Sequence, residues 1–298
     1  MPAASIVIPC RGHSGTLARC LASVTVQEAT DFEIIVVDAA HDDAVVATAT
    51  CFPTVRIVRS DRPLLPGDAR NLGVRYAQGT VILFIDADCT ADPGWLAAGL
   101  AGLNNAVIVG GTVEDGAPWH PIAVIDNVMQ FAHVPPARPA GPIASVPACN
   151  MAIRRADFER LGGFPTIVLP AGEDGLFCAR AAERWPGELW FEPEMRVRHF
   201  GRTTLRSLAD HQHRFGHARA MLGLALTPAH RRLGRHAALA PAVALVRLAY
   251  LMRCGARWRP FALTKMLLFS PILVFAMAAW CRGFRAGCRQ WAAAGSIV

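Results

Sequence analysis

The sequence predicts an α/β protein whose largely parallel central sheet is covered by helices on both faces. Three observations carry this reading. Continuous aliphatic runs recur through the N-terminal part, namely SIVIP (5–9), FEIIVVD (32–38), VRIVRS (55–60) and VILFI (81–85), and a strand buried on both faces reads as such a run. Segments with apolar residues at helical spacing lie between them. Polar groups collect at the carboxyl ends of the runs, where an open parallel sheet binds its ligands: Pro9–Arg11, Asp38, and Asp86 with Asp88.

The elements follow in order. The first run is a strand stopped by Pro9. Residues 14–27 place Leu17, Cys20, Leu21 and Val24 on one helical face behind Ser14 or Thr16 as cap. After the strands at 32–38 and 55–60, GDARNLGVRYAQ (67–78) opens a helix that leads into the strand 81–85. AVIVGGTVED (106–115) predicts another strand. The segment with Pro118, Pro121, Pro135, Pro136, Pro139 and Pro142 predicts a long loop over the site. ACNMAIRRADFERLGGF (148–164) reads as a strand entering a helix capped near Asp157 and stopped at Gly162–Gly163. PAGEDGLFCARAAER (170–184) is a loop carrying Glu173 and Asp174, then a helix, and ELWFEPEMRVRHFG (188–201) is one or two strands ending near His199.

Charge divides the 298-residue chain. Residues 1–195 carry a net −9, whereas residues 196–298 carry +16 with a single acid, Asp210. A basic, apolar tail predicts an anionic partner surface. Its long aliphatic stretches, rather than interleaved aromatic platforms, favour a membrane over nucleic acid. Two apolar segments, 236–252 and 261–281, each contain a charge (Arg247, Lys265) and a proline (Pro241, Pro271). Their uninterrupted cores fall short of the roughly 20 residues a spanning helix needs, and the connector RCGARWRP (253–260) holds three arginines. The expectation is a helical hairpin lying in or dipping into the cytoplasmic leaflet, because two full spans would put that connector on the wrong side. Nine scattered cysteines without a CxxC pair predict neither a disulfide framework nor a zinc site, and point to a reducing compartment. A strand almost at the N-terminus predicts no secretory signal.

The sharpest chemical feature is VILFIDADC (81–89). Residues i and i+2 share one face of an extended chain, so Asp86 and Asp88 point into one volume about 5–7 Å across. Two carboxylates so close repel unless neutralised, and a divalent cation that itself holds phosphate oxygens does this. The plain alternative is a strand ending in a polar turn.

Taken in sequence, SIVIPCRG, EIIVVDAAHDD, GDARNLGVRYAQGTVILFIDADC, ACNMAIRRADFERLGGF and GEDGLFCAR resemble the family 2 glycosyltransferases, which have the GT-A fold. The resemblance covers residues 4–220 and implies a catalytic domain over 1–225 followed by a membrane-associated segment, 226–298. It implies a nucleoside-diphosphate sugar donor, UDP- or GDP-linked, whose base or ribose meets Asp38 and whose base is flanked by Pro9–Arg11. Arg70 would meet phosphate or hydroxyls. Asp88 would bind Mn²⁺ or Mg²⁺ directly, Asp86 would serve ribose or a metal-bound water, and His199 is a candidate third ligand. Asp174 matches the base of an inverting transfer to a hydroxyl acceptor, plausibly a lipid-linked or envelope glycan, with Glu173 orienting the acceptor or raising the base's pKa. On the residues alone, the same Glu–Asp pair could equally cap a helix. In HQHRFGHA (211–218), Gln212, Arg214 and Phe215 approximate a Q-x-x-R-W motif, which makes Arg214 a possible diphosphate contact. The chain departs from the family where an acidic pair is usual after the second strand: here stand Asp38–Ala39, with Asp42 or Asp43 as substitutes.

Two rivals remain. A nucleotidyltransferase shares the topology but needs a glycine-rich basic loop after the first strand, which Cys10–Gly15 barely supplies. A catalytically silent membrane scaffold would not require Asp38, Asp86, Asp88 and Asp174.

Overall fold

The computed structural model describes residues 2–12, 14–28, 31–169, 171–226, 237–258 and 260–294. His13, Pro170 ahead of the acidic pair, 227–236 at the start of the tail and Arg259 in the arginine-rich connector lie outside the described residues. Contacts divide the chain into two units: Met1–Gly116, Val134–Thr166 and Glu173–Phe200 form one, and Ala117–His133, Ile167–Gly172 and Gly201–Val298 the other.

The first unit is built on a nine-stranded sheet. Strand β1 (Ala4–Cys10) pairs in parallel with β2 (Phe32–Asp38) and β4 (Val81–Ile85), and β2 pairs in parallel with β3 (Val55–Arg59). Beyond β4 the sheet is mixed. β8 (Asn150–Arg154) is antiparallel to β4 and to β6 (Ile108–Asp115), β9 (Leu189–His199) is parallel to β6, and the short β5 (Cys89–Ala91) and β7 (Gly141–Pro142) are antiparallel to β9. The order β3-β2-β1-β4-β8-β6-β9-β5 keeps the predicted parallel arrangement over its first four strands. A continuous aliphatic run reports burial on both faces but not strand direction, so the sequence left the second half's antiparallel pairs unseen. Pro9 does not stop β1, which continues to Cys10 in register with Asp38. Pairing with β4 ends at Val7, so Pro9 stands where no N–H is needed on that side.

Helices α1 (Ser14–Val24), α2 (Asp43–Thr50), α3 (Pro66–Tyr76), α4 (Trp95–Gly102), α6 (Arg155–Arg160) and α7 (Glu173–Arg184) also belong to this unit. Gly73 lets α3 close on the sheet, because a Cβ there would collide with Val7 and Val37. Arg70, three residues earlier on the same helical face, is thereby carried inward. An aromatic cluster of Phe84, Phe158, Phe164 and Phe177, with ring centroids 4.6–5.7 Å apart, fixes α6 and α7 against β4. Each such pair adds about 0.5–1.5 kcal/mol beyond its burial.

The second unit is helical. The proline-rich segment expected as a loop contains α5 (Pro121–Phe131), since a proline in the first turn forfeits no helical hydrogen bond. Helix α8 (Leu205–Leu226), which the sequence reading placed with the catalytic domain, packs along the helix Ser270–Ala294. The contact is close because it is glycine-lined. A Cβ on Gly216 would strike the backbone of Trp280, one on Gly283 that of His213, and one on Gly287 the side chain of Ala220. Before it come the helices Ala240–Trp258 and Pro260–Leu268, so among the described residues the tail expected as a two-segment hairpin holds three helices, with Pro271 in the first turn of the last. Ala237–Trp258, 22 residues of mean hydropathy 1.5, is long and apolar enough to cross a membrane by length and composition.

Candidate active site

The DAD segment follows β4 as a turn rather than as strand. The Cys89 N–H donates to the Asp86 carbonyl at 2.9 Å, so the turn, not the pleat, aims the two carboxylates. Pairing of β5 with β9 then sets Cys89 opposite His199, and the Phe200 N–H donates to the Asp88 carbonyl at 2.8 Å. This brings His199 Nε2 to 3.6 Å from Asp88 Oδ2. Buried Cys20 and Cys89 lie beneath the aspartates. Burial keeps the Cys20 thiol protonated, and a hydrogen bond to Cys149 followed by burial does the same for Cys89.

Arg70 is not a surface residue. It is 3% exposed, and its guanidinium donates to Asp86 Oδ1 at 2.6 Å and Glu173 Oε1 at 2.7 Å while lying 5.6 Å from the Phe164 ring centre. Burial opposes its charge, but Asp86 and Glu173 outweigh burial and hold it protonated. A planar, always-charged fork suits this two-carboxylate bridge.

Glu173 and Asp174 are the first two residues of α7, not a preceding loop. Asp174 accepts from the Gly175 N–H at 2.8 Å and the Ala148 N–H at 3.4 Å. Arg70 thus bonds two carboxylates and acts on Asp174 through charge alone, so the cluster holds more negative than positive charge. Burial, then the charge of Asp174, pushes Glu173 up to about 7 against the pull of Arg70. Burial also raises Asp174, partly offset by Arg70.

Other predicted residues are placed as follows. Pro9 is half-buried in β1 and Arg11 is exposed in the turn after it. Asp38 is fully buried, with its carboxylate held by the backbone of Ala40 and Asp42 and by Arg59. In the second unit, Arg214 is exposed on α8 with Nε donating to the Asp210 carbonyl at 3.3 Å, whereas Gln212 is buried and donates to Asp126 at 3.3 Å. Asp126 itself escaped the sequence reading. It is buried on α5 and also bonds His211 Nδ1 at 2.9 Å and the Arg202 N–H at 3.2 Å. An aspartate inside the apolar run PIAVIDNVMQF was its signal, because a buried charge requires partners. Asn150 was also missed. Fully buried on β8, it accepts from Trp95 Nε1 at 2.8 Å and donates to the Thr112 and Met195 carbonyls at 2.9 and 2.8 Å, bracing the β6–β9 irregularity after Gly111.

Among the described residues no three metal-capable side chains gather. Asp88 and His199 nonetheless form a two-donor oxygen-and-nitrogen set that fits a cation whose shell is completed by substrate phosphates.

A mixed sheet whose parallel half ends in carboxylates, with an acidic pair at the N-terminus of α7, is a GT-A architecture, and the family match makes it that of a glycosyltransferase. The particular family is glycosyl transferase family 2: its model matches residues 5–162, and the chain belongs to it. Glycosyltransferase AglE of Haloferax volcanii is 25% identical over 181 residues, covering 58% of this chain and 59% of that protein. Succinoglycan biosynthesis protein ExoO of Rhizobium meliloti is 34% identical over 95 residues, covering 31% of this chain and 27% of that protein. The chain thus spans about three fifths of the first relative and little more than a quarter of the second. Among solved structures, the mannosyltransferase PcManGT from Pyrobaculum calidifontis, in complex with GDP-Man and Mn²⁺, gives a TM-score of 0.59 at 16% identity, covering 97% of this chain and 86% of that one. S. aureus TarS 1–349 in complex with UDP-GlcNAc gives 0.54 at 16% identity, covering 97% and 91%. These two share the fold.

Proposed function

We propose that the protein is a metal-dependent, inverting glycosyltransferase that moves one sugar from a UDP- or GDP-sugar to a hydroxyl acceptor, a lipid-linked or envelope glycan, at the cytoplasmic face of a membrane. The observation that carries this reading is the bridge of Arg70 from Asp86 in the DAD turn to Glu173 beside Asp174. It joins a nucleotide-binding end to an acidic end in one charge-coupled site. The bound nucleotide sugars and Mn²⁺ of the solved neighbours support it.

In this reading Asp174 accepts the acceptor hydroxyl's proton as that oxygen attacks the anomeric carbon from the face opposite the diphosphate. The carbon–oxygen bond to the diphosphate breaks, and its electron pair leaves on the diphosphate oxygen. Burial makes Asp174 a stronger base than a solvated aspartate, and its two backbone N–H partners fix its direction. Asp88 and His199 would hold Mn²⁺ or Mg²⁺, which neutralises charge developing on the diphosphate. Arg70 holds Asp86 and Glu173 in place, leaving Asp86 to serve ribose or a bound water. Pro9–Arg11 flank the nucleotide's base. Functionally, residues 1–225 are the catalytic part and 226–298 the membrane-associated part, with α8 shared between them. The basic tail meets anionic headgroups.

The test is a panel of nucleotide sugars with and without Mn²⁺. One UDP- or GDP-sugar is expected to be turned over only with the metal, and Asp88→Ala is expected to abolish turnover while leaving the fold intact. Metal-independent turnover, or an active Asp88→Ala enzyme, would refute metal dependence.

A further inference from the structure

The turn after β2 holds a polar side chain that the site so far leaves unused. Asp38 is closed to a ligand: it accepts from the Ala40 N–H at 3.2 Å, the Asp42 N–H at 2.9 and 3.1 Å, and Arg59 Nε at 3.1 Å, which fills a buried carboxylate. Asp38 therefore shapes the turn. Ala39, where the family usually carries a second acid, is buried and brings no polar group. Asp42 spends Oδ1 on the Ala44 N–H as the cap of α2. His41 remains. It is exposed, and its backbone sits at φ +59°, a left-handed conformation that is costly for any residue with a Cβ and whose persistence points to function.

The ring is also oriented. His41 Nδ1 lies 3.2 Å from the Ser60 carbonyl. A carbonyl can only accept, so Nδ1 carries the proton, and in the neutral ring Nε2 presents a lone pair. Its position suits a nucleoside. In the order β2-β1-β4, the end of β2 lies two strand spacings, ~10 Å, from the end of β4. That is the reach from a diphosphate at Asp88 to the base of the same nucleotide. The turn after β1 adjoins it, since a Cβ on Gly12 would stand 3.9 Å from Asp42 Oδ2.

We propose that His41 reads the donor's base, its Nε2 accepting from the ring imino N–H of uracil or guanine in place of the missing carboxylate. Cytosine and adenine present a bare ring nitrogen at the corresponding edge and set lone pair against lone pair. His41 is thus a specificity residue for nucleoside diphosphates whose base carries an imino proton. The inference rests on the nucleotide-sugar reading above and deepens it.

The experiment is calorimetric titration of the full chain with UDP, GDP, CDP and ADP in the presence of Mn²⁺. UDP or GDP is expected to bind at least about tenfold tighter than CDP and ADP, the worth of one hydrogen bond and one avoided mismatch. His41→Gly suits the left-handed backbone, so it is expected to melt at an unchanged temperature. It should reduce that ratio to near unity by weakening the favoured nucleotide and, with the opposing lone pair gone, modestly strengthening CDP. His41→Asn, which tolerates the same backbone and offers an amide oxygen, should recover part of the ratio. A selective wild type whose His41→Gly variant stays equally selective would overturn the proposal. So would selectivity lost in Asp42→Asn instead, which would make Asp42 the reader. A wild type that binds all four equally overturns it while leaving the glycosyltransferase reading intact. Binding none of them removes both.

Discussion

Glu173 and Asp174 show how one residue pair acquires a working pKa from its surroundings. Burial, then the charge of Asp174, keeps the Glu173 proton until about pH 7, burial raises Asp174 beside it, and the two titrate together. A base-dependent turnover should therefore rise with pH along a limb displaced above the ordinary aspartate range. Glu173→Gln leaves Arg70 one carboxylate fewer to neutralise, so its pull on Asp174 grows, and a pH–rate profile should show the rising limb displaced to lower pH. Stability carries the same signature. A folded pKa above the unfolded one means that the contribution of Glu173 is present below its ordinary range and lost as pH rises through about 7. Thermal midpoints recorded from pH 5 to 8 should fall in the wild type and vary less in Glu173→Gln. The residue types at this site were legible in the sequence, but their wiring was not. Arg70 reads as a contact for phosphate or hydroxyls, and its burial between two carboxylates emerges only with Gly73, one turn on, where α3 closes on β1. Nothing in the local pattern announces that contact.

At the scale of elements, the aliphatic runs at 32–38, 55–60 and 81–85 became strands at almost those limits. A run long enough to be a strand and bounded by polar residues has few other uses. Gly162 and Gly163 stop α6 as expected, at φ +78° and +72°. Long-range features were out of reach. The direction of β8, the helix hidden between prolines at 121–131, and the pairing of α8 with Ser270–Ala294 depend on partners distant in sequence. The last of these leaves a trace after the fact. Gly283 and Gly287, spaced by four, share a helical face and meet the His213 backbone and Ala220. Gly283→Leu should force these helices apart and lower stability by about 2 kcal/mol or more, as overpacking against a backbone does. Thermal unfolding followed by circular dichroism would register this as a lower midpoint, whereas an unchanged midpoint would show that the helices need not touch.

For the molecule as a whole, acid and base are sorted along the chain: net −9 before residue 196 and +16 after it. The acidic part contains the carboxylates, and the basic part exposes Leu245, Val246 and Tyr250 on one helix and Val274 and Phe275 on another. Apolar side chains amid arginines suit an anionic lipid surface. The full chain should float with vesicles containing phosphatidylglycerol. Leu245→Glu combined with Val246→Glu should reduce the floated fraction several-fold without altering catalysis on a soluble acceptor analogue. Equal flotation of the double variant would place the membrane contact elsewhere. The central claim, that this fold carries out glycosyl transfer with Asp174 as base, is met most directly by single-turnover transfer with Asp174→Asn. The account predicts a loss of at least about a hundredfold with nucleotide affinity retained, whereas near-normal transfer by that variant would contradict it.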